Sequence, residues 1–296
     1  MRLRRAIFGK WGMALALAIV SLTTLAAEPK LPPLTTAKGP RLPGKFVWAD
    51  LVTDDVAVAR KFYSQMFGWF FRDCGNYAIG YNDDRPLCGI FHRARPADGK
   101  AEPRWFGYIS VANVDRAERS AIEDGGRILA AARKMPARGE QAVLSDAEGA
   151  LFGVVKSSSG DPEDFLAEPG DWIWMELLSR DARTAAEFYR GVGGYEVVAN
   201  TNTNRSSDYV LVSEGYARAT VRTLSSANTR VHPTWLPFVR VKNVGESVAR
   251  AGQLGGKTLL EPKVELFDGK VAVIADPTGA AIGVLEWTGE ELKGAR

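Results

Sequence analysis

Cysteine and histidine are both scarce in this sequence of 296 residues, which contains two of each. Two cysteines exclude a framework of several disulfides and a cysteine-rich zinc module. Two histidines, His92 and His232, severely limit histidine-based metal sites and catalytic triads. The sequence also lacks a nucleophile elbow and a glycine-rich loop that could cradle a phosphate.

Apolar and charged residues, in contrast, are present in the proportions of a globular protein. Hydrophobic residues make up 46% of the chain and charged residues 25%. This composition supplies enough apolar surface for a core and excludes a disordered or collagen-like chain. Because single cores usually stop growing near this length, the sequence predicts two domains.

The N-terminal segment has the composition and order of a secretory signal. Four basic residues and no acidic residue lie in the first ten positions, and an apolar run follows from Trp11 to Ala27. We therefore predict a signal peptide over residues 1–27, cleaved after Ala26 or Ala27, and a periplasmic or secreted protein. The alternative is an uncleaved membrane anchor, because about 17 apolar residues are close to the minimum for a span.

Removal of the signal changes the charge balance of the chain. The whole sequence has a formal net charge of +3, but residues 1–27 carry four of its 38 basic residues and none of its 35 acidic residues. The mature chain would have a net charge of −1, which argues against a nucleic-acid partner. We expect a small-molecule partner, with membrane contact only through an uncleaved N-terminal segment.

Most of the mature chain consists of two copies of one domain sequence. The segments Gly44–Leu51 and Gly170–Leu177 match at an offset of 126, and later positions such as Trp105 and Trp235 match at an offset of 130. Many matches at one register indicate a true internal repeat. The repeat predicts tandem domains.

The boundaries of these domains follow from composition. We assign the domains to residues 44–157 and 170–289. A proline-rich linker, residues 28–43, precedes the first domain, and a turn-rich linker, residues 158–169, joins the two. Because the tandem supplies its own domain pairing, the sequence is compatible with a monomer or a homodimer.

Each half contains the same pattern of elements twice. In the first half an alternating strand over Phe46–Val52 precedes a helical pattern that begins after Asp54 or Asp55 and ends at Gly68. Three further strands follow, and the whole pattern restarts near residue 104. The sequence thus predicts an α+β fold built from four βαβββ modules.

Short motifs recur near the helix ends and before the last strands. They are Phe62-Tyr63-x4-Gly68, Phe188-Tyr189-x4-Gly194, Asp146-x-x-Gly149 and Asp276-x-x-Gly279. With the module order, they resemble the vicinal oxygen chelate superfamily of glyoxalases, bleomycin-resistance proteins and extradiol dioxygenases. The resemblance covers nearly all of residues 44–289. It implies two tandem glyoxalase-like domains, each with a cupped sheet whose concave side holds a ligand and, in the enzymes, a divalent metal.

The metal-ligand positions implied by this resemblance hold residues that cannot bind a metal. These positions fall on three pairs of residues: Trp48 and Trp174, Trp105 and Trp235, and Gly153 and Gly283. Indole offers only an N–H donor, and glycine has no side chain. We therefore expect no metal and no other cofactor.

Alternation along the first strand of each half predicts which side chains line the cups. Those expected to pack against helices are Val47, Ala49, Leu51, Ile173, Met175 and Leu177. Those expected to face the cups are Trp48, Asp50, Trp172, Trp174 and Glu176, with Trp105 and Trp235 opposite. Aromatic walls beside a carboxylate suit a flat or cationic organic ligand, and Asp50 and Glu176 are candidate general bases. Alternatively, the tryptophans fill the cavities, and Arg218 or backbone N–H groups pair with the acids.

Three functions remain open from the sequence. The leading hypothesis is an exported, metal-independent protein that binds a small organic molecule, either as a sequestering protein or as a lyase or isomerase. The second is a divalent-metal lyase or dioxygenase with unusual ligands such as Asp50, His92 or Glu176. The third is a non-catalytic structural or partner-binding module. Export also favours a Cys74–Cys88 disulfide, whereas the predicted hairpin register sets these cysteines apart.

Overall fold

The computed structural model describes most of the two predicted domains. The described residues are 31–35, 38–94, 102–200, 208–226 and 231–287. The predicted signal peptide and its cleavage site lie outside them. None of the helices within these segments is long and apolar enough to cross a membrane.

The first domain contains two βαβββ modules. The first module consists of β1 (Phe46–Thr53), α1 (Val56–Phe67), β2 (Phe70–Cys74), β3 (Tyr77–Asn82) and β4 (Arg85–His92). The second module consists of β5 (Arg104–Ser110), α2 (Val114–Glu123), β6 (Arg127–Met135), β7 (Gly139–Ser145) and β8 (Leu151–Ser157). Their strands form one sheet in the order β2-β3-β4-β1-β5-β8-β7-β6. The antiparallel β1–β5 pair joins the modules.

The second domain repeats this arrangement. Its first module consists of β9 (Trp172–Ser179), α3 (Ala182–Gly193), β10 (Glu196–Ala199), β11 (Tyr209–Ser213) and β12 (Tyr216–Thr223). Its second module consists of β13 (Thr234–Val241), α4 (Val244–Gln253), β14 (Lys257–Leu260), a short 3-10 turn (Phe267–Gly269), β15 (Val271–Ala275) and β16 (Ala281–Glu286). The strand order is β10-β11-β12-β9-β13-β16-β15-β14. The predicted α+β fold of four βαβββ modules is confirmed.

Short polar side chains and glycines set the ends of the helices. Asp55 Oδ1 accepts a hydrogen bond from the Val58 backbone N–H (3.0 Å), so Asp55 rather than Asp54 caps α1. Gly68 and Gly194 end α1 and α3 in the left-handed conformation, with φ of 79° and 74°. These residues fix where α1 begins and where α1 and α3 end.

The two sheets turn their helix-covered faces toward each other. One core cluster joins the second module of the first domain to the first module of the second domain, and includes Phe152 and Phe188. Another joins the two remaining modules and includes Phe62 and Val241. The helices therefore lie between the two sheets and contact both domains. The two concave faces point outward, on opposite sides of the molecule.

The Phe-Tyr and Asp-x-x-Gly motifs hold the domains together. The Trp235 indole N–H donates to the Tyr189 hydroxyl (2.8 Å), which donates to Asp146 Oδ2 of the other domain (3.1 Å). In the first domain, the Trp105 indole N–H donates to the Tyr63 hydroxyl (2.7 Å). Both tryptophans are therefore buried between the sheets.

This placement corrects the expectation that Trp105 and Trp235 face the cups. Trp105 pairs with Leu51 across β1 and β5, and Trp235 pairs with Leu177 across β9 and β13. Residues directly opposite each other on neighbouring strands point to the same side of a sheet. Since the two leucines face the helices, the two tryptophans face them too.

A bulge in the first strand of each domain also changes the predicted alternation. The pairing skips Val47 in β1 and Ile173 in β9. A bulged residue breaks the strict in-out alternation of a strand. Val47 and Ile173 therefore join hydrophobic clusters on the concave faces, instead of packing against helices as expected.

The same bulge moves Trp172 out of the second cup, where it was expected. Its ring packs in the domain interface, with ring centroids 5.2 Å from Trp69 and 5.3 Å from Trp105. Its indole N–H donates to the Leu87 carbonyl of the first domain (3.0 Å). Trp172 is thus part of the contact between domains.

Candidate functional site

The concave face of the first sheet, which we call cup 1, contains Trp48 and Asp50. Each has only 5% of its surface exposed. The Trp48 indole N–H donates to Asp50 Oδ1 (2.8 Å), and the Tyr77 hydroxyl donates to the same oxygen. Burial raises the pKa of Asp50, although these donors and the nearby charge of Arg138 oppose the rise.

A glycine creates the space that lets Tyr77 reach Asp50. Gly89 pairs with Asp50 across β1 and β4, and a side chain at Gly89 would overlap the Tyr77 hydroxyl. Burial and the neighbouring Asp50 charge raise the pKa of Tyr77 well above its usual value. Tyr77 therefore keeps its proton and remains a donor to the carboxylate.

Arg138, in the turn between β6 and β7, lies in cup 1 over Trp48. Its guanidinium carbon is 3.9 Å from the centre of the Trp48 ring, and only 2% of the residue is exposed. Burial lowers the pKa of Arg138, while the charges of Tyr77 and Asp50 oppose this effect. Within the described part of the chain, Nε and Nη2 have no hydrogen-bond partner.

A short N-terminal segment, residues 31–35, closes the mouth of cup 1, and we call it the strap. Leu31 and Leu34 are 9% and 2% exposed. Both pack in the same cluster as Trp48 and Tyr108. The space left between the strap and the sheet is about 10 Å³, enough for one water molecule at most. Cup 1 is closed in this structure.

The concave face of the second sheet, which we call cup 2, contains Trp174 and Glu176. Trp174 is partly exposed, and its indole N–H donates to Thr220 Oγ1 (3.1 Å). The Thr220 hydroxyl donates to Glu176 Oε2 (3.2 Å), and Arg222 Nη2 donates to the same oxygen (2.9 Å). A tryptophan, a threonine, an acid and an arginine are thus linked along one face.

Two polar atoms in cup 2 have no hydrogen-bond partner among the described residues, and one of them, Arg222 Nε, is buried. Among the described residues, nothing hydrogen-bonds to Glu176 Oε1 or to Arg222 Nε. The side chains of Arg222 and Glu176 are 20% and 11% exposed. Arg218, considered from sequence as a partner for the acids, donates instead to Asp164 in the linker (2.7 Å).

Aromatic rings occupy the space beside two of the implied metal-ligand positions. A side chain at Gly153 would overlap the Tyr108 ring, and one at Gly283 would overlap the Phe238 ring. Tyr108 and Phe238 pair with Trp48 and Trp174 respectively. Across the described segments, no group of three His, Cys, Asp or Glu side chains converges on a common point. These side chains do not fit the divalent metal of the family.

The histidines lie apart from the acids of the two cups. His92 is exposed at the end of β4 and pairs with Thr53, three positions along the strand from Asp50. His232 is exposed in the other domain. Asp50 and Glu176 line different cups on opposite sides of the molecule. The unusual ligands considered in the second hypothesis therefore do not converge on one site among the described residues.

No disulfide joins Cys74 and Cys88 in the structure. Cys74 is on β2 and Cys88 is on β4, with β3 between them. Cys88 lies in the core between the sheets, whereas Cys74 packs against the cluster in cup 1. Because they lie on opposite faces of the sheet, the disulfide favoured by export does not form.

Sequence reasoning missed several residues of the two cups. They are Tyr77, Tyr108, Arg138, Thr220, Arg222 and Phe238. The repeat carries a signal for Tyr108 and Phe238, which match at the offset of 130. Arg138 lies in a hairpin turn, where neither the strand period nor the helix period gives the direction of a side chain.

A cleft of about 770 Å³ lies away from both cups, between α2 and α3. Glu148 lines it and accepts hydrogen bonds from the Arg180 backbone N–H (3.0 Å) and the Ser179 hydroxyl (2.6 Å). Asp146 also lines it, and burial raises the pKa of this carboxyl, against the effect of its backbone donors. Both acids belong to the first domain and hydrogen-bond to residues of the second domain, including Tyr189. The cleft is therefore part of the interface between the domains.

Family models match both domains. Residues 45–154 match the model described as the Glyoxalase/Bleomycin resistance protein/Dioxygenase superfamily. Residues 173–285 match the model described as the glyoxalase-like domain. Together with the paired modules and the two cupped sheets, these matches show that the chain belongs to this superfamily, as a tandem two-domain member.

Two curated relatives cover most of the chain. It is 27% identical over 250 residues to "Putative glyoxylase CFP32" of Mycobacterium tuberculosis, covering 81% of this chain and 93% of the relative. It is 28% identical over 260 residues to "Anthracycline biosynthesis protein DauV" of a Streptomyces species, covering 82% and 94%. Both relatives therefore extend over the two domains.

Solved structures share the fold at low sequence identity. The Mn(II)-bound glyoxalase from Novosphingobium aromaticivorans aligns with a TM-score of 0.54 at 14% identity, covering 83% of this chain and 82% of that one. The 2,3-dioxygenase LapB from Pseudomonas sp. KL28 aligns with a TM-score of 0.58 at 11% identity, covering 84% and 94%. These similarities concern the fold alone.

Proposed function

We propose that this chain is an exported, metal-independent member of its superfamily that binds a flat organic molecule in cup 2. The observation that carries the proposal is the partly exposed Trp174 ring beside the Glu176–Arg222 ion pair. A largely apolar, concave surface with a few placed polar groups is the usual make-up of a small-molecule site.

Each part of cup 2 has a role in binding. The Trp174 ring stacks on a flat ligand, or attracts a cationic ligand through its face. Glu176 Oε1 accepts a hydrogen bond from a ligand N–H or O–H group, and Arg222 Nε donates to a ligand oxygen. Phe238 and Leu266 supply apolar walls.

The name of one relative favours the same ligand class. The Streptomyces relative is named for anthracycline biosynthesis and matches this chain over both domains. Anthracyclines are flat, fused-ring aromatic molecules. A ligand of this shape presents a broad face to Trp174 and ring oxygens to Arg222.

Glu176 is the acid that we propose as a general base, should the bound ligand react. A base must reach the proton that it removes, and Oε1 of Glu176 has no partner among the described residues. Asp50 is enclosed by Trp48, Tyr77 and the strap, so we do not extend this role to it. Proton removal by Glu176 is compatible with a lyase or an isomerase.

Export and metal independence are supported by different observations. Export is inferred from the basic, apolar and small-residue order of residues 1–27. Metal independence is inferred from Gly153 and Gly283, where the family's acidic ligand is missing and an aromatic ring takes its space. The proposed localisation is the periplasm or the exterior of the cell.

The binding proposal is tested by removing the Trp174 ring. Doxorubicin, a flat anthracycline, is titrated into the mature protein and into Trp174→Ala by calorimetry. We expect the variant to bind at least tenfold more weakly, about 1.4 kcal/mol, because the stacking surface is lost. Phe165→Ala is the matched control, since Phe165 is an exposed aromatic residue of the linker.

Two further variants separate the polar contacts from the stacking. Glu176→Gln keeps the shape of the side chain but removes its charge, so it should weaken binding of the cationic doxorubicin. Arg222→Met removes the donor to a ligand oxygen. Equal affinity of Trp174→Ala and the unaltered protein for doxorubicin would contradict binding in cup 2.

A further inference from the structure

Cup 1 contains a buried cation with an unused hydrogen-bonding edge. Arg138 is 2% exposed, and its Nε and Nη2 have no partner among the described residues. Nε and Nη2 form one edge of the guanidinium, and such an edge can hold a carboxylate through two parallel hydrogen bonds. Leaving two buried donors unpaired is unfavourable, so this edge is suited to an acceptor that enters the cup.

The surroundings of this edge suit an aromatic ligand. The Trp48 ring packs against the guanidinium, and the Tyr108 ring lies in the same cluster. Val155 adds an apolar wall, and Gln141 adds an amide to the lining of the same small cavity. Cup 1 therefore combines a buried guanidinium with aromatic and aliphatic side chains around it.

Two leucine side chains of the strap fill the rest of the cup. Leu31 and Leu34 are buried in the cluster of cup 1. Within the described segments, no hydrogen bond ties residues 31–34 to the sheet. Pro32 and Pro33 have no backbone N–H and cannot add this segment to the sheet as a strand. Residues 31–34 are thus held here by the apolar contacts of Leu31 and Leu34, which another apolar group can replace.

We propose that cup 1 binds an aromatic carboxylate, and that the strap occupies the place of this ligand until the ligand displaces it. The carboxylate takes the Nε and Nη2 edge of Arg138. The aromatic ring takes the space that Leu31 and Leu34 fill in the closed form. This site is independent of cup 2, which lies in the other domain.

The carboxylate of Asp50 does not prevent binding of a second carboxylate. Its Oδ1 already accepts hydrogen bonds from Trp48 and Tyr77, and these two donors spread its charge. Burial favours the neutral form of the Asp50 carboxyl, since it raises the pKa of this group. Arg138 therefore remains available to an incoming acid.

Competition between strap and ligand has a measurable consequence. When only a fraction of molecules has an open cup, the observed dissociation constant rises by the inverse of that fraction. Weakening the strap should increase the open fraction and tighten binding without touching the site. Replacing Arg138 by an uncharged residue should remove the higher affinity for a carboxylate over its neutral analogue.

The test uses 1-naphthoate as the aromatic carboxylate and 1-naphthamide as its neutral analogue, titrated by calorimetry. The double variant Leu31→Ala/Leu34→Ala should bind 1-naphthoate at least tenfold more tightly than the unaltered mature protein. The control is Leu166→Ala, which removes an exposed leucine outside the cup and should leave the affinity unchanged. Equal affinities in the double variant and the unaltered protein would overturn the strap as a competitor.

The role of Arg138 is tested in the same double-variant background. Adding Arg138→Met should weaken 1-naphthoate at least tenfold and leave 1-naphthamide within about twofold. Arg138→Lys should restore part of the affinity, because lysine keeps the charge but not the two-pronged edge. If the amide binds as tightly as the acid before Arg138 is changed, the assignment of the ligand class is wrong.

Limited proteolysis of the unaltered protein gives a test that needs no variant. Chymotrypsin cleaves after leucine, and Leu34 is buried in the closed form. Saturating 1-naphthoate should speed cleavage after Leu34, because the bound ligand expels the strap, whereas cleavage after the exposed Leu166 should keep its rate. An unchanged rate after Leu34 under saturating 1-naphthoate would show that the ligand binds elsewhere and would overturn the proposal.

Discussion

Asp50 shows how hydrogen bonds can hold a single buried acid in place. Its Oδ1 accepts hydrogen bonds from Trp48 and Tyr77, and the Arg138 charge lies nearby. Replacing Asp50 by an apolar residue would leave the buried Tyr77 hydroxyl without its acceptor, which is costly. Asp50 is therefore part of the packing and hydrogen bonding of cup 1.

The burial of Asp50 should make the free energy of unfolding depend on pH. The pKa of Asp50 is raised above its usual value near 3.8 in the folded protein. Between the unfolded and the folded pKa, the folded protein binds more protons, so the free energy of unfolding falls as pH rises. Asp50→Asn stays neutral and should remove this part of the fall.

Urea unfolding of both proteins from pH 4 to pH 8 checks this prediction. Relative to the unaltered protein, Asp50→Asn should be least stable near pH 4 and gain stability toward neutral pH. Asp146 also has a raised pKa, but it is present in both proteins and its effect cancels in the difference. A constant difference across this range would contradict a raised pKa of Asp50.

Along the strands, in-out alternation predicted the direction of side chains correctly only where the pairing with the neighbouring strand is regular. It placed Trp48, Asp50, Trp174 and Glu176 on the faces where the structure has them. It failed at Trp172, because a one-residue bulge shifts the strand, and a bulge leaves no mark in a period-two pattern. The resemblance also placed Trp105 and Trp235 in the cups. This placement was wrong, because the cross-strand register that turns both rings toward the helices cannot be read from the sequence.

Two strand pairs also explain why glycines stand where a metal ligand would. Tyr108 on β5 pairs with Gly153 on β8, and Phe238 on β13 pairs with Gly283 on β16. A side chain at either glycine would overlap the facing ring. Each ring and its glycine therefore form one packing unit within the sheet.

Gly153→Ala should destabilise the first domain by about 1–3 kcal/mol, because overpacking forces the Tyr108 ring or the strand to move. Gly252→Ala is a matched control in helix α4, where no other atom lies within 4 Å of the added carbon. The control should be neutral or stabilising by up to about 1 kcal/mol. Thermal and urea unfolding check both values, and an unchanged stability of Gly153→Ala would argue against the ring-glycine unit.

For the whole molecule, the tandem repeat predicts more than the number of domains. The helices of one domain pack against the helices of the other, and Tyr189 hydrogen-bonds to Asp146 across the interface. The module order and the repeat were sufficient to predict the α+β fold. They could not predict this cross-domain bond, because no local period reports contacts between residues so far apart in sequence.

The two cups have diverged within one molecule. Cup 1 is closed by Leu31 and Leu34 and holds Arg138, whereas cup 2 leaves Trp174 partly exposed beside Glu176. The strap and the turn that carries Arg138 have no repeated counterpart in the sequence motifs. Sequence therefore indicated two similar cups, while the side chains from turns and linkers make them different.

We propose that aromatic cups replace the metal site of the family, and the metal content of the protein tests this most directly. The mature protein, purified without chelator, is analysed for bound metal, and its thermal midpoint is measured before and after EDTA. Mn, Fe, Ni and Zn are then added in turn. We predict no stoichiometric metal and no shift of the midpoint with EDTA or with any of these ions. A stoichiometric metal whose removal lowers the midpoint, and whose return restores it, would contradict the account.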